Sequence, residues 1–121
     1  MLMISEISRP GFKTILKTEQ FKCAFITHEN QYTYGPVASM KRHNLTDEVF
    51  VLLSGRATLL ICQGETMTEY PMVQKKAYNV TAGTWHYLAV SSDAVLFVVE
   101  SSDTDSTNTD VMTLANPYRL I

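Results

Sequence analysis

The segment Lys41-Arg42-His43-Asn44-Leu45-Thr46-Asp47-Glu48-Val49-Phe50-Val51-Leu52 reads as a strand, a tight polar turn and a second strand. Side chains two apart in a strand share a sheet face. Lys41 and His43 therefore point the same way, and if Glu48 points inward so do Phe50 and Leu52. A second segment, Gly83-Thr84-Trp85-His86-Tyr87-Leu88-Ala89-Val90, repeats the arrangement, with His86 sharing a face with Leu88 and Val90. Each strand offers a polar group at one end and an apolar floor beneath it. That is the layout of a ligand pocket with a few convergent polar groups.

The rest of the chain supports an all-β domain. Short runs rich in Val, Ile, Leu, Phe and Tyr recur between Gly, Asn, Asp, Ser and Pro, the spacing of a β-sandwich or barrel. The predicted strands are Phe21–Thr27, Val37–His43, Glu48–Ser54, Arg56–Gln63, Met67–Val73, Ala77–Val80, Trp85–Val90 and Ala94–Glu100, with Val111–Leu114 as a short last strand. Tyr34-Gly35-Pro36, Ser54-Gly55 and Gln63-Gly64-Glu65 break the runs. The expected organisation is one domain over residues 1–121. It comprises an arm, edge strand or helical turn in 1–19, a barrel core in 20–100, a polar loop in 101–110 and a C-terminal strand or tail in 111–121. Asp103, Asp105, Thr107 and Thr109 alternate in the loop. A calcium loop would need Gly at its sixth position and Glu at its twelfth, where Asn108 and Leu114 stand, so a solvated loop is expected. Strands 48–53 and 94–99 are apolar on both faces, so a second layer or a second subunit is expected against the outer one, and a homodimer with it.

Composition narrows the function. With 121 residues, 45% of them hydrophobic, the chain can bury one sizeable core. A net charge of −2 and scattered Lys and Arg exclude a nucleic-acid or acidic-membrane surface. No apolar stretch reaches the roughly 20 residues of a membrane helix. The start Met1-Leu2-Met3-Ile4 carries no signal-peptide pattern, so the expected compartment is the cytoplasm, where Cys23 and Cys62 would be free buried thiols. His28 lies in a polar loop and is read as solvated. Tyr32, Tyr34 and Trp85 are candidates either for the pocket mouth or for packing, and alternation puts Trp85 on the face opposite His86.

Two imidazoles and a carboxylate of shared parity form a recognisable donor set. His43, Glu48 and His86 would suit a divalent transition metal (Fe, Mn, Ni, Co or Zn) with coordination positions left for water or substrate.

These residues resemble the cupin family. Its first motif runs Gly, five residues, His-x-His, four residues, Glu, six residues, Gly. This chain has Gly35, five residues, Lys41-Arg42-His43, four residues, Glu48, six residues, Gly55. The second motif matches from Thr81-Ala82-Gly83 through His86, with Thr81 in the Pro slot, Lys75 in place of the leading Gly and Val90 in place of the closing Asn. The stretch Met40–Phe50 is also similar to a branch of small single-domain bacterial cupins. The resemblance implies a double-stranded β-helix (jelly-roll barrel) and a metal held by His43, Glu48 and His86. It departs at Lys41, which occupies the slot of the first histidine ligand. A protonated ammonium cannot ligate. Lys41 is thus open to three roles: bystander to a three-ligand centre, substrate-facing or proton-carrying catalytic residue, or anion binder in a metal-free site.

Three functions remain open on the sequence. One is a metal-dependent enzyme acting on a small polar metabolite. Another is a metal-free epimerase or isomerase of the sugar-nucleotide type, with His43 or His86 as base. The third is a non-catalytic module that binds or senses a small ligand.

Overall fold

Strand formation follows the runs of β-branched and aromatic residues. A computed structural model describes residues 1–121. Its strands are β1 (Phe12–Lys17), β2 (Phe21–Thr27), β3 (Gly35–His43), β4 (Glu48–Ser54), β5 (Ala57–Gln63), β6 (Thr66–Pro71), β7 (Ala77–Val80), β8 (Trp85–Val90), β9 (Val95–Ser101) and β10 (Thr109–Leu120). Short 3-10 turns occupy Asn30–Tyr32 and Ser106–Asn108. No helix is long and apolar enough to cross a membrane.

The strands form two five-stranded antiparallel sheets, ordered β1-β2-β9-β4-β7 and β10-β3-β8-β5-β6. Between them lies the main core, which includes Ile26, Phe50, Leu52, Leu59, Leu88, Val90, Leu96 and Val98. Alternation carries the next residues outward: Leu60, Cys62 and Ala89 join Val37, Met40 and Leu120 in a second cluster on the outer face of the β10-containing sheet. Trp85 and Tyr34 pack there, under the guanidinium groups of Arg42 and Arg56 respectively. Both cysteines are free and buried.

The outer face of the other sheet has no such cover. Val49 and Val51 of β4 and Phe25, Phe97 and Val99 of β2 and β9 are half-buried, and Phe21 and Leu53 are exposed. Phe25 and Phe97 meet edge-to-face with centroids 5.8 Å apart.

The structure decides between the alternatives open for the N-terminal stretch and corrects two expectations. Residues 12–17 of the ambiguous N-terminal stretch form an edge strand paired with β2. The last strand runs to Leu120 rather than stopping at Leu114. Pro117 cannot donate to a ladder, but it falls where pairing with β3 is interrupted, between Thr113 and Tyr118, so the strand continues past it. The 101–110 stretch is not a freely solvated loop. Ser102 and Thr104 are buried. Ser102 Oγ donates to the Glu19 carbonyl, and Lys22 Nζ donates to the Thr104 carbonyl. Asp105 caps the 3-10 turn in a reciprocal capping box with Asn108. The run of Ser, Thr, Asp and Asn is local turn chemistry, and it folds this segment over the barrel mouth.

Candidate metal centre and ligand cavity

Three strand ends build the centre. His43 closes β3, Glu48 opens β4 and His86 lies second in β8. Two turns hold these ends together. Gly83 has φ +78°, the left-handed conformation glycine adopts without strain, and its N–H donates to the His43 carbonyl at 2.8 Å. Asp47, next to Glu48, accepts from the Ala82 N–H at 2.9 Å and from Asn79 Nδ2 at 3.0 Å. Those hydrogen bonds hold the exposed Asp47 carboxyl below its ordinary range, the Ala82 N–H contributing most. Asp47 escaped the sequence reading; its position, one residue before Glu48 in the turn, was the available signal.

The predicted donor atoms converge. His43 Nε2 and His86 Nε2 lie 3.3 and 3.4 Å from Glu48 Oε1. One nitrogen or oxygen from each residue falls within 4.8 Å of the others. Glu48 is 5% and His86 8% exposed, so water screens the cluster poorly.

The outer contacts orient both rings and fix the tautomer of one. His86 Nδ1 is 2.9 Å from the Thr84 carbonyl, which only accepts, so Nδ1 carries the proton and Nε2 of the neutral ring presents a lone pair. His43 Nδ1 lies 2.8 Å from Thr109 Oγ1, a hydroxyl that can donate or accept, so this contact orients the ring without fixing its tautomer. Glu48 Oε1 is buried with no hydrogen-bond partner. A ring lone pair and a carboxylate oxygen thus face one another in a buried space. A divalent cation relieves that repulsion, and the Thr84 and Thr109 contacts are of the kind that orient ligating histidines. The residues fit a metal.

In metal-free protein burial pushes the Glu48 carboxyl up, but imidazole protons turned toward it outweigh burial and hold the group well below the usual carboxylate range. His43 is raised, chiefly by Glu48 and against burial. A second carboxyl, Glu100 on β9, faces Glu48. Burial first and the Glu48 charge second push it up to about 7, opposed by Lys22 at 3.4 Å.

A cavity of ≈ 600 Å³ opens above the centre. Phe12, Ile26, Phe50 and Leu88 line it on apolar sides, and Tyr32, Lys41, Glu100, Thr104 and Thr109 are among its polar lining. Lys41 stands as parity predicts, on the face of His43 and in register with His86. It is exposed and forms no ion pair. Of the three aromatic candidates only Tyr32 reaches the cavity. Glu100, Thr104 and Thr109 also line it, and sequence reading did not single them out as site residues. Parity put Glu100 on the face of Leu96 and Val98, a signal that was available for it alone.

Scans against protein-family models and curated proteins find no match to the sequence. Solved structures do match in shape. A cupin-2 domain protein from Shewanella frigidimarina aligns with TM-score 0.60 at 14% identity, over 78% of this chain and 84% of that one. The fold is the cupin fold. The nucleoside dehydratase Pac13 aligns with TM-score 0.66 at 10% identity, over 94% of this chain and 92% of its own. Fe(II)-HppE, solved with an alternative substrate, aligns with TM-score 0.55 at 13% identity, over 74% of this chain and 48% of its own. At these identities the cupin likeness is one of fold. Cupin-fold neighbours thus include an Fe(II) protein, and His43, Glu48 and His86 are the cluster here that could take an ion.

Proposed function

We propose that this cupin-fold protein binds one divalent transition metal through His43 Nε2, Glu48 and His86 Nε2, and that it binds or acts on a small polar metabolite in the cavity above. The observation that carries the reading is the buried, partnerless Glu48 Oε1 facing two imidazole nitrogens, at least one a bare lone pair. The donor set suits Fe, Mn, Ni, Co or Zn. A bound ion would supply Lewis acidity toward a ligand carbonyl or carboxylate oxygen. Lys41, on the cavity wall without an ion-pair partner, offers a cation to negative charge developing on the ligand. The cavity lining holds no other Lys or Arg, which argues against a diphosphate substrate.

The test is metal content by mass spectrometry on untagged protein, for wild type, His43→Ala and His86→Ala. Near-stoichiometric metal in wild type, lost in both variants, is expected. Protein free of metal, with no thermal shift on adding Mn, Fe, Ni, Co or Zn salts, refutes the reading and favours a metal-free site.

We further propose a homodimer through the uncovered apolar face that carries Phe25, Val51 and Phe97. Light scattering should report twice the chain mass, and Phe97→Glu should yield monomers; a monomeric wild type refutes it. Free buried Cys23 and Cys62 fit a reducing cytoplasm.

A further inference from the structure

Three polar groups line the cavity beside the metal donors without being donors themselves. Thr104 is 5% exposed, and its Oγ1 has no hydrogen-bond partner. A buried hydroxyl left without a partner costs free energy, and Thr104 belongs to the cavity lining, where a ligand hydroxyl would relieve that cost. Tyr32 is the second. The hydroxyls of Tyr34, Tyr78, Tyr87 and Tyr118 all engage protein atoms; those of Tyr32 and the exposed Tyr70 engage none, and of these two Tyr32 lines the cavity. Burial, with the charges of Glu48, Glu29 and Glu100, suppresses its ionisation, so it stays a donor. The third is Glu100, 7% exposed, whose carboxyl meets Lys22 on one side and Glu48 on the other.

The segment that carries Thr104 is tied in place. Lys22 Nζ bonds the Thr104 carbonyl at 2.8 Å while pairing with Glu100 at 3.4 Å, and Ser102 Oγ bonds the Glu19 carbonyl at 2.7 Å. The Lys22 ammonium is therefore already committed to protein acceptors.

We infer that Tyr32, Glu100 and Thr104 form a hydroxyl-binding subsite beside the metal centre, and that the ligand is an uncharged polyhydroxylated molecule such as a free sugar or polyol. A ligand hydroxyl donates one bond and accepts others, matching a carboxyl acceptor flanked by two hydroxyl donors. A phosphate at this subsite would face Glu48 and Glu100, where the nearby Lys22 is already paired and the cavity's free cation, Lys41, stands on the opposite sheet. An ammonium would sit next to a divalent ion; this exclusion alone rests on the proposed metal. Phe12, Ile26, Phe50 and Leu88 provide apolar surface for the carbon side of such a ligand.

The experiment is saturation-transfer NMR with the full chain and a panel of D-ribose, erythritol and D-glucitol, against ribose 5-phosphate and glucosamine. Metal content is measured on the same samples. At least one neutral polyol should bind at millimolar concentration and more tightly than the phosphate or the amine. Thr104→Val and Tyr32→Phe should each weaken it fivefold or more, with melting temperature and metal content unchanged. Absence of binding by every neutral polyol, tighter binding of the phosphate or amine, or a loss under fivefold in either variant overturns the inference. Polyol binding that depends on both residues in metal-free protein would keep the subsite while refuting the metal centre, so the two fail separately.

Discussion

Replacing Thr109 with Val removes the one side-chain oxygen that orients the His43 ring. Nδ1 of His43 lies 2.8 Å from Thr109 Oγ1, and the ring is only 17% exposed, so water substitutes poorly for the lost oxygen. Val keeps the β-branched shape that the start of β10 requires, so strand pairing with His43 is retained. With the hydrogen bond gone, the ring can turn away from Glu48, and Nε2 no longer points at the shared centre in every molecule. Loss of such an outer contact costs about 10- to 100-fold in metal affinity, or about 1.4–2.7 kcal/mol. The assay is competition against a chromophoric chelator at fixed pH, with wild type, Thr109→Val and Thr109→Ser at matched melting temperature. Thr109→Ser retains an oxygen and should stay near wild type. A Thr109→Val affinity within about threefold of wild type, well under 1 kcal/mol, would refute the claim that this contact orients a ligating histidine.

Other perturbations separate packing from chemistry. Gly55 has φ +77°, and a Cβ there would lie 2.6 Å from Ala94 Cα and 2.8 Å from Ala94 N. Gly64, at φ +62°, has nothing within 4 Å. Both alanine variants carry the left-handed penalty of about 1–2 kcal/mol, but Gly55→Ala also displaces backbone. Urea denaturation should show it the less stable by a further 1 kcal/mol or more, on the order of a backbone strain term; equal losses would contradict the packing.

Stability against pH tests the buried carboxyls. In metal-free protein Glu100 titrates at about 7 against an ordinary 4.5, so the folded state keeps a proton that the unfolded chain has lost. Stability therefore falls as pH rises from 4.5 to about 7. The raised His43 adds to the loss as pH climbs through its folded value. The lowered Glu48 acts oppositely, losing its contribution only as pH falls below the ordinary carboxylate range. Melting temperature in chelator should drop between pH 5 and pH 8, and Glu100→Gln should flatten that drop; an unchanged slope in the variant would show that Glu100 is not its source.

Some of this protein was legible in the sequence because it depends on local backbone geometry. Alternation along a strand is fixed by the pleat, so the shared inward faces of His43, Glu48–Phe50–Leu52 and His86–Leu88–Val90, and the outward turn of Trp85, needed no knowledge of partners. Strands β2, β4, β7 and β8 begin and end at the predicted residues for the same reason. What depended on distant pairing was not legible. Thr109 meets His43 because β10 pairs with β3, and Glu100 meets Glu48 because β9 lies beside β4. Thr104 reaches the cavity because Lys22 and Ser102 tie its segment to β2 and the turn before it, although its composition reads as solvated loop. Donor identity and parity are properties of a strand. Which groups orient those donors, and which remain unpaired for a ligand, depends on sheet order, and no short window of sequence contains it.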